Sequence, residues 1–68
     1  MIKCHLSKML GEKRITIKEV HEKTGLSRNT ISNIYNEKAK MIDLDTLEKL
    51  CCFLNCNISD LLEYVKEV

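Results

Sequence analysis

Arg28, Asn29, Ser32, Asn33 and Asn36 recur at spacings that gather them on one side of a helix, and none is a carboxylate. Such a face is made almost wholly of hydrogen-bonding groups. Arg28 can donate two parallel bonds to guanine O6 and N7, and Asn29 or Asn33 can supply the paired donor and acceptor that match adenine N6 and N7. Ser27, Ser32 and Asn36 suit phosphate oxygens. An α-helix fits the B-DNA major groove and reads base edges from its N-terminal residues, where its dipole is positive.

These side chains need a scaffold that holds one helix face outward. Residues 16–36 supply one. Thr16 and Glu19 form a T-x-x-E capping box that opens a helix. Ile17, Val20, His21 and Thr24 then share one face, and Lys18, Glu19, Glu22 and Lys23 the other. Gly25 stands where the chain must turn sharply in a left-handed conformation. Ser27 is a good N-cap for the next helix. Leu26 and Ile31 have the spacing of a hydrophobic staple across that cap, with Ile31 and Ile34 on the inward face. The turn is short enough to set the two helices at a steep angle.

Three further helices complete the reading. The first covers residues 6–11, with Leu6, Met9 and Leu10 on one face and Gly11 as its stop. Residues 2–6 alternate apolar and polar in strand fashion, although Ile2 also fits the helix face. The fourth runs from residue 44 or 45 to 55 on a stripe of Leu44, Leu47, Leu50, Cys51 and Leu54, flanked by Phe53. The fifth starts after Ser59 and includes Leu61, Leu62 and Val65, while residues 64–68 fit either helix or extended chain.

The stretch TIKEVHEKTGLSRNTISNIYN at 16–36 resembles the Cro/cI-type, or XRE, helix-turn-helix family of phage and bacterial repressors. IDLDTLEKLC at 42–51 and ISDLL at 58–62 resemble the fourth and fifth helices of its small members, so the resemblance covers about residues 6–63. It implies an all-α fold, a compact five-helix lambda-repressor-like DNA-binding domain over residues 1–68, with room for short extended termini. It implies a sequence-specific double-stranded DNA-binding transcription regulator, a repressor. Base-reading positions of the family fall on Arg28, Asn29 and Asn33, with Ser32 nearby. Its phosphate-contacting positions fall on Thr16, Lys18, Asn36, Lys38 and Lys40. The sequence departs from the pattern at Ile17, where many members carry a phosphate-contacting glutamine, at His21, usually a small residue, and at Thr24, usually more apolar.

Charge is divided along the chain. Residues 1–40 hold nine Lys/Arg against four Glu, and residues 41–68 hold two Lys against six Asp/Glu, although the net charge is only +1. The basic part suits a polyanion and the acidic part faces away from it. One recognition helix rarely gives operator affinity, so a homodimer is expected, with Phe53, Ile58, Leu62, Tyr64, Val65 and Val68 as its surface. Pairing of residues 2–6 with 64–68, within one chain or between two, is a second route. The alternative function is a protein-interaction module, antitoxin-like or a co-regulator, that uses the acidic half.

With 68 residues the chain holds one core. No apolar run approaches the ~20 residues of a membrane span, and the N-terminus lacks a signal-peptide core. A cytoplasmic protein with no membrane partner is expected, and Cys4, Cys51, Cys52 and Cys56 as thiols. Cys52 and Cys56 have a spacing permitted for zinc, but Cys51 lies on the leucine stripe and reads as core, so neither metal nor cofactor is expected. His21 reads as packing at the helix crossing. No phosphate-cradling glycine loop, H-E-x-x-H or G-x-S-x-G occurs, and the expectation is a protein that is not an enzyme.

Overall fold

The computed structural model describes residues 1–66. In chain order the elements are β1 (Ile2–Cys4), α1 (Leu6–Lys13), α2 (Ile17–Thr24), α3 (Arg28–Tyr35), α4 (Leu44–Leu54), α5 (Ile58–Leu61) and β2 (Leu62–Tyr64). The five helices are those expected. The chain is mostly helical, and its extended termini add a small sheet that an all-α reading omits: β1 and β2 pair antiparallel, with Ile2 opposite Tyr64, Lys3 opposite Glu63 and Cys4 opposite Leu62. The ladder continues past both strands through His5 N–H to the Leu61 carbonyl (2.8 Å) and Val65 N–H to the Met1 carbonyl (2.8 Å). The termini thus pair within one chain, through residues 2–4 and 62–64, where the sequence suggested 2–6 and 64–68.

That shift follows from α5. Asn57 N–H donates to Asp60 at 2.9 Å, which starts the helix at Ile58 rather than after Ser59. Leu61 is fully buried, and Leu62 is already extended (φ −122°, ψ 141°), so Leu62 joins the strand instead of the helix. Val65 lies beyond β2, and Val68 lies outside the described residues.

The core is built from Leu6, Leu10, Val20, Leu26, Ile31, Ile34, Leu50, Leu54 and Leu61. Full burial of one such side chain is worth about 1.5–3 kcal/mol. Every helix contributes, so α3 is held from behind by Ile31 and Ile34 while its other side stays wet. The stripe of α4 is rotated from expectation. Leu44 is 81% exposed, whereas Thr46, Leu50 and Leu54 are buried, because the core meets α4 on the Thr46 side.

Two helices end on a left-handed residue that is not glycine, α1 at Arg14 (φ 54°) and α4 at Asn55 (φ 52°), and Glu37 (φ 57°) is left-handed one residue beyond the cap of α3. Gly11, expected to stop α1, lies inside it instead. The reason is Ile15, a half-buried residue whose N–H reaches the Leu10 carbonyl at 2.9 Å. One more turn of helix brings Ile15 back beside Leu10, a packing gain that overrides the helix-breaking tendency of glycine. Among the described residues no helix is long and apolar enough to cross a membrane.

Candidate nucleic-acid interface

The start of α3 is fixed by its own neighbours. Ser27 Oγ accepts the Thr30 N–H at 3.1 Å, and the Ser27 hydroxyl donates to Thr30 Oγ1 at 2.8 Å. Arg28 N–H and Asn29 N–H meet no acceptor among the described residues, so they stand free at the positive end of the helix. Leu26 and Ile31 are both buried on either side of the cap, as the staple requires.

The turn before α3 is tied by the polar groups of Thr24 and His21, the second of which the sequence places simply as packing at the helix crossing. Gly25 takes the left-handed conformation (φ 78°). The Thr24 hydroxyl donates to the Val20 carbonyl at 2.6 Å and accepts the Leu26 N–H at 3.2 Å. His21 Nδ1 lies 2.6 Å from the Leu26 carbonyl. A carbonyl only accepts, so this imidazole nitrogen carries the hydrogen. His21 and Thr24, both departures from the family pattern, therefore act as polar clasps across the turn. Spacing alone does not mark them: His21 lies one helical turn before Gly25 and Thr24 directly before it, and the groups they reach are set by the geometry of the turn.

Arg28 and Asn29 are exposed, and Ser32 and Asn33 are half-buried on the same face. The first turn of α3 holds no acidic residue, and among the described residues Arg28 pairs with no carboxylate. The Asn36 side-chain amide donates to the Ser32 carbonyl at 2.9 Å and to its hydroxyl at 3.3 Å. Asn36 thus orients Ser32 rather than standing free.

Beyond α3, Glu37 turns left-handed, and Lys38 N–H returns to the Asn33 carbonyl at 2.8 Å. That bond draws Lys38 alongside the last turn of the outward face. The Glu37 carboxylate accepts the Cys4 N–H at 3.0 Å, which pins this loop to β1. A left-handed conformation costs an L-residue roughly 1–2 kcal/mol, so the bond to β1 helps to offset the strain at Glu37. Lys38 and Lys40 are exposed and pair with no carboxylate among the described residues.

Thr16 and Lys18 are placed differently. Thr16 is closed into its capping box with Glu19, whose N–H reaches Thr16 Oγ1 at 3.1 Å. Lys18 lies 4.0 Å from Glu22, an exposed pair one turn apart. Both residues therefore keep carboxylates close by. The remaining candidates are spread over separate grooves. Phe53 sits beside Lys23 and Thr24, Ile58 beside Leu44 and Leu47, and Leu62 beside Ile2 and Cys4. Tyr64 is exposed and Val65 half-buried.

Known proteins resemble this chain over nearly its whole length. The sequence model of the Cro/C1-type helix-turn-helix DNA-binding domain matches residues 5–67. An uncharacterized HTH-type transcriptional regulator of Bacillus subtilis (strain 168), YozG, is 39% identical over 56 residues, which cover 82% of this chain and 67% of the relative. A second protein of the same strain, the SPbeta prophage-derived uncharacterized HTH-type transcriptional regulator YopS, is 32% identical over 65 residues, covering 94% of this chain and 86% of the relative.

Proposed function

The chain belongs to the Cro/C1-type helix-turn-helix DNA-binding family, and from that premise we propose that it is a sequence-specific transcription regulator that represses by binding double-stranded DNA. The observation that carries this reading is the outward face of α3. Arg28, Asn29, Ser32 and Asn33 lie together there without a competing carboxylate in the first turn. In this reading Arg28 takes a guanine, an asparagine takes an adenine, and Ser32 adds a shorter contact. Ser27, Asn36, Lys38 and Lys40 flank the face as phosphate contacts, with Thr16 and Lys18 at the start of α2. The relatives' names, both HTH-type transcriptional regulators, support a regulatory role.

One half-site gives limited affinity, so the working unit is a homodimer whose recognition helices stand about 34 Å apart, one DNA turn. Its surface is drawn from the acidic C-terminal half, from Phe53, Ile58, Leu62, Tyr64 and Val65. The test is selection of binding sites from a random duplex pool. Enrichment of a two-fold symmetric site with half-sites one turn apart is the expected result; a pool no different from its input overturns the reading.

One observation favours the alternative, a protein-interaction module. Glu19 and Glu22 hold Thr16 and Lys18, which sets two carboxylates at an edge that would face phosphates. Its signature is a protein that ignores duplex DNA even at low salt and binds a partner through the acidic half.

A further inference from the structure

We propose that Cys51 and Cys56 form a redox-active thiol pair that closes to an intramolecular disulfide on meeting a small-molecule disulfide such as oxidised glutathione. The pairing comes from the way α4 ends. Asn55 turns left-handed (φ 52°) and Cys56 N–H returns to the Cys51 carbonyl at 3.0 Å. The same closure ends α1, where Ile15 N–H returns to the Leu10 carbonyl at 2.9 Å. In this motif the residue after the left-handed turn packs on the one five positions earlier. In α1 the two are Leu10 and Ile15, which are apolar; in α4 they are both thiols.

The backbone bond brings Cys56 back beside Cys51, and a disulfide needs Cα atoms within about 7 Å of each other. Burial raises the Cys56 thiol pKa, and the neighbouring Cys51 thiol adds to the rise. Both cysteines are half-buried and line an open groove of about 390 Å³ together with Leu44, Leu47 and Ile58. A small oxidant can therefore reach them. The sequence spacing had singled out Cys52 with Cys56, but Cys52 is exposed on the groove's rim and Cys51 takes the place beside Cys56. Cys4 lies on β1 and does not line this groove.

The exchange balances without any other reactant. One thiol of the pair, as its thiolate, attacks a sulfur of oxidised glutathione and releases one glutathione thiolate. The second, deprotonated in turn, attacks the resulting mixed disulfide and releases the other. Two cysteine thiols are oxidised, one glutathione disulfide is reduced to two thiols, and the two protons pass to the leaving thiolates.

The test treats the folded protein with oxidised glutathione, blocks free thiols by alkylation, and cleaves at Lys49 and Lys66. The expected fragment over residues 50–66 lacks two hydrogens, with Cys51 and Cys56 joined and Cys52 carrying the alkyl group or glutathione. Cys52→Ser should close as the unaltered chain does, and Cys56→Ser should not close. In denaturant the selectivity should vanish as Cys52 competes. Separate adducts on Cys51 and Cys56 in the folded protein, or a Cys52–Cys56 bridge, would overturn the proposal.

Discussion

Between Thr16 and Asn36 the side-chain hydrogen bonds that shape the chain join residues two to five positions apart: Leu26 to Thr24, Glu19 to Thr16, Thr30 to Ser27, and His21 to Leu26. The terminal ribbon is built the other way. Its bonds join Met1 to Val65, His5 to Leu61 and, between side chains, His5 to Glu63 at 2.7 Å. The first region carries its own instructions for caps and turn, and needs the core only to fix its tilt. The second exists because α1 to α5 bring two distant segments together. Glu37 joins the two, with its N–H on the Ile34 carbonyl of α3 and its carboxylate on the Cys4 N–H of β1.

The largest effect should come from the core they share. Ile31 is fully buried behind the outward face. Ile31→Ala should cost roughly 2–5 kcal/mol, read as a fall in the urea midpoint, and it should loosen both regions together. If amides of the ribbon kept their protection while those of α3 lost it, the two regions would be independent units.

Arg28→Ala should separate function from stability. It should weaken binding to the preferred site by roughly 1–3 kcal/mol and relax the choice at one base pair, with the urea midpoint unmoved because Arg28 is exposed. Ser27→Ala acts on the same helix by another route. Loss of the cap should cost about 1 kcal/mol of stability, and Ser27→Gly only a few tenths.

Much of the first region could be read in the sequence for the same reason that it is robust. Thr16 with Glu19, Gly25, Ser27, and Leu26 with Ile31 are signals within a few residues of the structure that they dictate. The outward face of α3 follows from Ile31 and Ile34 pointing in. The clasps at His21 and Thr24 escaped because a side-chain bond across a turn depends on the angle of the helices, which no spacing encodes. The ribbon was legible as alternation at Ile2, Cys4 and Leu6, but its register depends on where α5 stops. Gly11 misled because glycine marks a stop only when no later residue gains by packing, and Ile15 does. Leu44 misled because a helical stripe gives the period of burial without its phase.

A smaller effect should distinguish the regions from their junction. Glu37→Ala removes the acceptor for the Cys4 N–H and leaves the left-handed strain in place. It should cost under about 1 kcal/mol and speed hydrogen exchange at Cys4, His5 and Val65, with Glu19 and Thr30 unchanged. Faster exchange at Thr30 would place the junction inside the helix-turn-helix.

The smallest effects are in pH. Burial raises the Cys4 thiol above its ordinary value, with the Glu37 charge adding to the rise and a backbone bond from Leu6 opposing it. A raised folded pKa means stability present below the ordinary thiol pKa and lost as pH climbs through the folded one. Unfolding should therefore ease above about pH 9, and Cys4→Ser should flatten that limb. Hydrogen bonds from Thr46 lower the Asp43 carboxyl. That contribution is present above the ordinary carboxylate pKa and is lost as pH falls below about 4 towards the lowered one, so Asp43→Asn should shallow the acid limb.

In the proposed function the face of α3 reads DNA. Its most direct test is fluorescence anisotropy of the full chain against the selected duplex and a scrambled one, across a series of salt concentrations. Binding to both should weaken linearly on a log–log salt plot, with the selected duplex held more tightly throughout. Equal binding to the two duplexes, or no salt-dependent binding to either, would contradict it.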